Sequence, residues 1–133
     1  MTGQAGGPAG GLLAGRLILL VEDDRLAALD LVQALEAEGA RVVGPVASVR
    51  QALDLIEATP GLDGAVLDVE LVDELSFPVA DRLRDRGIPF VFETGYDEHI
   101  IPEPYRDAPL IAKPAQAKLM TQALADPVRC RPG

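Results

Sequence analysis

The stretch Leu17-Ile18-Leu19-Leu20-Val21-Glu22-Asp23-Asp24 decides how this sequence folds. Five aliphatic residues in unbroken succession, not alternating with polar ones, mark a strand buried on both faces. Strands of that kind belong to parallel sheets covered by helices. The run is too short to span a bilayer. No cation precedes Arg16 and acids follow at once, which does not suit a secretory signal.

Working outward, Ala28, Leu31, Val32 and Leu35 recur at helical spacing until Gly39, predicting a helix over about 25–38. Residues 41–46 read as a second strand, weakened by Gly44 and Pro45. Ser48 followed by Gln51 makes a capping-box pattern for a helix through Ala52, Leu55 and Ile56, ended by Thr59-Pro60. Residues 64–67 form a third strand. A helix over 77–86, with Val79, Ala80 and Leu83 on one face, stops at Gly87, and 89–93 is a fourth strand. Pro102, Pro104 and Pro109 allow only a short or irregular helix over 97–109. Residues 110–112 give a fifth strand, and 116–125 a last helix with Leu119, Met120, Ala123 and Leu124 inward. This alternation implies an α/β fold: a doubly wound five-stranded parallel sheet with right-handed crossovers and helices on both faces. Residues 1–15, rich in glycine, read as a disordered leader, 16–125 as one domain, and 126–133 as a flexible tail.

The composition narrows the function. A chain of 133 residues can bury a core without disulfides or structural metal, and with 2 Tyr, 3 Phe and no Trp that core is expected to be aliphatic. The net charge of −9 disfavours nucleic acid and anionic membranes as partners. One cysteine, Cys130, and one histidine, His99, exclude an intramolecular disulfide and a Cys/His zinc cluster, which makes a reducing, cytoplasmic setting the simplest.

Ligands of such sheets bind at the carboxyl ends of the strands. Glu22 and Asp23 follow the first run, Asp68 the third, Thr94 the fourth and Lys113 the fifth. If the first and third strands are neighbours, as in the order 2-1-3-4-5, three carboxylates share one pocket. Two such charges ~5 Å apart repel by ~3 kcal/mol at an effective dielectric near 20, which calls for a counter-ion. With oxygen ligands only, a hard divalent cation fits, and Mg2+ is the natural choice. A carboxylate beside a cation, faced by a hydroxyl and an ammonium, suits phosphoryl transfer to that carboxylate. Lys113 is one of two lysines, so its place at a strand end carries weight. Asp24 reads as a helix N-terminal acid.

Leu19-Leu20-Val21-Glu22-Asp23-Asp24, Asp68 after Ala65-Val66-Leu67, Thr94-Gly95 and Lys113-Pro114 together resemble the receiver domain of two-component response regulators, over about residues 16–125. Ser76-Phe77-Pro78-Val79-Ala80 and Gly87-Ile88-Pro89-Phe90-Val91-Phe92 look most like stand-alone alphaproteobacterial receivers. The resemblance implies a flavodoxin-like fold and phosphorylation of Asp68 by a histidine kinase or histidine phosphotransfer protein. It implies a Mg2+ site of Glu22, Asp23, Asp68 and Glu70, with Asp23 binding directly, Glu22 through water and Glu70 by its backbone carbonyl. Thr94 and Lys113 would contact phosphoryl oxygens, and the Lys113–Pro114 bond would be cis.

The chain departs from the pattern at Leu110, where receivers commonly carry an aromatic switch residue; Tyr96 and Tyr105 are the candidate substitutes. Glu70 and Tyr96 lie two residues beyond Asp68 and Thr94, and both are expected to slow phosphate hydrolysis by impeding water. The stretch after Lys113 is shorter than the ~50 residues of a small domain. The expectation is therefore a regulator without an attached output and without turnover of an external substrate, signalling through its surface to a downstream protein, with a homodimer left open. A flavin-binding reading fails because the acids at 22–24 would repel the phosphate. A phosphatase with an aspartyl intermediate usually has a second Asp where Glu70 stands. The remaining alternative is a degenerate receiver acting as a phosphorylation-independent binding module.

Overall fold

The computed structural model describes residues 11–95, 101–113 and 117–125. Strands β1 (Leu17–Val21), β2 (Arg41–Val46), β3 (Gly64–Asp68), β6 (Phe90–Thr94) and β7 (Leu110–Ala112) form one five-stranded sheet in the order β2-β1-β3-β6-β7. Every pairing in it is parallel. This is the expected 2-1-3-4-5 order. Between β3 and the third helix lies a short antiparallel hairpin, β4 (Glu70–Leu71) with β5 (Glu74–Leu75), which the sequence pattern did not announce.

The helices are α1 (Arg25–Ala37), α2 (Val49–Ala58), α3 (Phe77–Asp85) and α4 (Ala117–Ala125). Asp24 starts α1 by accepting hydrogen bonds from the Leu26 and Ala27 N–H groups at 2.9 and 3.0 Å. Ser48 starts α2 by accepting from Gln51 N–H at 3.1 Å, while Gln51 Oε1 accepts from Ala47 N–H. Between β6 and β7 the described residues form only a 3₁₀ turn, Glu103–Tyr105, consistent with the prolines there. Gly44 and Pro45 did not prevent β2, an edge strand; its register with β1 shifts between Leu19 and Val21, and the Gly44–Pro45 bond is cis. The Lys113–Pro114 bond, Tyr96, His99 and Cys130 lie outside the described residues.

Alternation along the strands divides the core into two layers. Leu19, Val21, Ala65, Leu67, Phe90 and Phe92 face α2 and α3; Ile18, Leu20, Val66, Val91 and Ile111 face α1 and α4. The core is not wholly aliphatic. The first layer gathers Phe77, Phe90, Phe92 and Tyr105, with ring centroids 4.6 to 6.3 Å apart. On α4, Leu119 is 51% exposed and not inward, because Met120 and Leu124 set the buried i, i+4 stripe and Leu119 falls about 100° to its side.

The disordered-leader expectation fails for residues 11–15. Leu13 is fully buried in the α1/α4 layer. Its N–H donates to Glu38 O at 2.9 Å, and Gly15 N–H donates to Gly39 O at 3.0 Å. A helix end leaves carbonyls in need of donors, and this segment supplies them. Gly39 has φ +90°, and a Cβ there would stand 2.7 Å from Ala14 Cα, so the crossing needs glycine on both counts. Residues 1–10 and 126–133 lie outside the described residues.

Candidate functional site

The sheet register brings the polar residues together. Val21 pairs with Leu67, Asp68 with Glu93 and Thr94 with Ala112. Past the strands the backbone ladder continues: Glu22 N–H donates to Val46 O, Val69 N–H to Glu93 O and Lys113 N–H to Thr94 O, each at 2.9 Å. The residues expected at the site are therefore fixed by neighbouring strands and not by free loops.

Glu22, Asp23 and Asp68 each present an oxygen within 4.8 Å of the others. Lys113 Nζ donates to Asp68 Oδ2 at 2.8 Å and to Glu22 Oε2 at 3.4 Å. It lies 3.3 Å from Glu22 Oε1 but makes no hydrogen bond there, so that buried oxygen has none. Asp24 N–H donates to Glu22 Oε2 at 3.1 Å. Glu70 N–H donates to Asp68 Oδ1 at 3.2 Å, whereas the Glu70 carboxylate turns to Thr94. Thr94 Oγ1 stands 3.1 Å from both Glu70 carboxylate oxygens. Beside the acids opens a cleft of ≈ 540 Å³ lined by Leu29, Val32, Pro45 and Val46 among others.

Sequence reasoning missed Glu93. It is 2% exposed, and its Oε1 also lacks a hydrogen bond. The signal was present: Glu93 is itself the first polar residue after Phe90-Val91-Phe92, passed over in favour of Thr94. The pocket thus holds Glu22, Asp68 and Glu93 around the Lys113 ammonium, with Asp23 beside Glu22 and Asp68.

The electrostatics reflect that imbalance. Burial, and then the neighbouring Glu22, push the Asp68 carboxyl up to about 7 despite the Lys113 contact. Burial raises Glu22 and Glu93 as well, outweighing the pull of Lys113. Burial also raises Glu70, against the Thr94 hydrogen bond. For Lys113, burial favours the neutral amine, but Asp68, Glu22 and Glu93 overcome it and raise its pKa. Buried carboxylate oxygens without hydrogen bonds, in an all-oxygen donor set with too little positive charge, fit a hard cation.

No family model matches the chain. It is 34% identical over 119 residues to the phyllosphere-induced regulator PhyR of Methylorubrum extorquens, a match covering 80% of this chain and 43% of PhyR. The chain thus spans less than half the length of that relative. The response regulator PhyR from Brucella abortus superposes with a TM-score of 0.73 at 25% identity, over 90% of this chain and 51% of that one. The BeF3-activated SdrG from Pseudomonas melonis Fr1 superposes with a TM-score of 0.71 at 40% identity, over 84% of this chain and 95% of SdrG. The chain belongs to the receiver family of response regulators.

In this receiver domain, Leu110 occupies the usual aromatic position and pairs with Phe92 across the sheet. Tyr105 is committed elsewhere. Its ring stacks on Phe77 at 4.6 Å, and its hydroxyl donates to Asp81 on α3 at 2.8 Å.

Proposed function

We propose that this receiver domain accepts a phosphoryl group on Asp68 from a histidine kinase or histidine phosphotransfer protein in a Mg2+-dependent reaction, and signals through its surface to a downstream protein. The observation that carries the reading is Asp68 itself: a buried carboxylate at a strand end, 2.8 Å from a lysine and sharing one pocket with Glu22 and Asp23. SdrG, which is 40% identical, is known in a BeF3-activated conformation, and BeF3− stands in for a phosphoryl group on a carboxylate.

In the reaction, a carboxylate oxygen of Asp68 forms a P–O bond as the P–N bond of the donor's phosphoimidazole breaks. The imidazole nitrogen keeps the electron pair and takes a proton from solvent. In this reading Lys113, which donates to Asp68, follows the charge onto a phosphoryl oxygen, and Thr94 donates to another. Glu22, Asp23 and Asp68 would hold Mg2+, with the Glu70 carbonyl added by family resemblance; when bound, the ion neutralises charge on the phosphoryl oxygens. The chain turns over no external substrate in this reading. It acts in the cytoplasm, away from nucleic acid and membranes, in keeping with its −9 charge. Among the described residues no helix is long and apolar enough to cross a membrane.

The test is intact-mass measurement after incubation with Mg2+ and phosphoramidate, acetyl phosphate or a phosphorylated kinase. Wild type is expected to gain one phosphoryl group, and Asp68→Asn none. No gain by wild type from any donor would overturn the reading and leave the phosphorylation-independent binding module.

A further inference from the structure

We propose that the Glu70 carboxylate is an internal competitor for the Thr94 hydroxyl, displaced when Asp68 is loaded, and that its displacement is passed to the β4–β5 hairpin. This rests on the phosphoacceptor reading above.

Thr94 is 1% exposed, and its hydroxyl has one proton to give. Both Glu70 oxygens stand 3.1 Å from Oγ1, so that hydroxyl is engaged by a carboxylate in the state described. A phosphoryl oxygen on Asp68 needs the same donor. Glu70 is also tied to the acceptor through its backbone, its N–H lying 3.2 Å from Asp68 Oδ1. Loading Asp68 exchanges the single charge of its carboxylate for the roughly two of an acyl phosphate beside the Glu70 carboxylate, competes for its hydrogen bond and alters its backbone tie in a single event. Glu70 is only half-buried, so water is open to it when it leaves.

The hairpin is built to respond. Glu70 pairs with Leu75 and Leu71 with Glu74, a ladder closed by Asp73 at φ 62°. Glu74 accepts from Val49 N–H at the start of α2 at 3.0 Å, linking the hairpin to a helix. Val72 and Leu75 hold apolar side chains in water at 70% and 50% exposure. Among the described residues Leu110 stands in place of an aromatic switch and Tyr105 is held on α3, which leaves Glu70 as a movable group beside Thr94.

The test compares wild type with Glu70→Ala, which removes the acceptor, and Glu70→Gln, which keeps an acceptor oxygen; both retain the backbone N–H. Affinity for BeF3− in the presence of Mg2+ is measured by NMR titration in each, in Thr94→Ala and in the Glu70→Ala/Thr94→Ala double variant. Removing the competitor is expected to tighten BeF3− binding about five-fold in Glu70→Ala, less in Glu70→Gln, and by no more than the small charge effect when Thr94 is already alanine. Amide exchange at residues 71–75 and at Val49 should rise on BeF3− binding in wild type, and be raised beforehand in Glu70→Ala. BeF3− binding that is unchanged or weakened by Glu70→Ala, or changed equally in both Thr94 backgrounds, overturns the competitor and leaves the phosphoacceptor reading standing. A hairpin whose exchange ignores BeF3− overturns the transmission step. Failure of every form, wild type included, to bind BeF3− overturns the phosphoacceptor reading and the competitor together.

Discussion

At the amino ends of the strands, Leu17 and Asp63 exchange hydrogen bonds of 2.8 and 2.9 Å, Arg41 N–H meets Arg16 O, and the Arg16 guanidinium reaches Leu124 O at 3.1 Å. Leu13 closes that end with an apolar plug. At the carboxyl ends, Glu22, Asp68, Glu93 and Thr94 are buried together, and Glu22 Oε1, Ser76 Oγ and Glu93 Oε1 have no hydrogen bond. These three are the orphaned buried side-chain atoms among the described residues, and all belong to the carboxyl side. One end of the sheet is satisfied by its own groups. The other is held short of positive charge, so that a cation or a phosphoryl group can relieve it.

The contrast can be broken most severely at the satisfied end. Leu13→Ala should lower unfolding free energy by about 3 kcal/mol, read from the urea midpoint, with phosphodonor uptake under native conditions unchanged. An unaltered midpoint would mean that the leader adds nothing to the fold.

At the strained end the expected effect is pH-dependent. Asp68 titrates near 7 in the fold and at 3.8 as its ordinary value, so between the two the folded state holds a proton that the unfolded chain has released. That contribution to stability is complete below 3.8 and is lost as the pH rises through about 7. Wild type without metal should therefore lose on the order of 2 kcal/mol relative to Asp68→Asn between about pH 4 and 8 in thermal melts. Added Mg2+ should narrow the gap. A pH-independent difference would remove the strain from the carboxyl end.

Two smaller effects sharpen the boundary. Gly39→Ala puts a Cβ against Ala14 at positive φ and should cost about 1–2 kcal/mol of stability in denaturant melts without altering BeF3− affinity. Ser48→Ala removes the α2 cap and should cost about 1 kcal/mol in the same assay.

The strands were legible because burial on both faces writes itself as unbroken apolar runs, and the site because polar residues stand where those runs stop. Leu13 was hidden by its surroundings: a leucine among glycines carries no periodicity, and its burial depends on where α1 ends. The Glu70–Thr94 bond was also out of reach, since it joins residues 24 apart through a hairpin too short to leave a pattern. Leu119 misled because four apolar residues in a short helix admit more than one stripe.

Lys113 has a practical consequence for bench chemistry. Clasped by acids and held protonated, its amine is a poor nucleophile toward acylating reagents, whereas Lys118, the other lysine of the chain, stands exposed on α4. When acetyl phosphate is the donor, a stray acetyl group on a lysine should fall on Lys118, and a Lys118→Arg background leaves the terminal α-amine as the remaining amine to check in the mass spectrum.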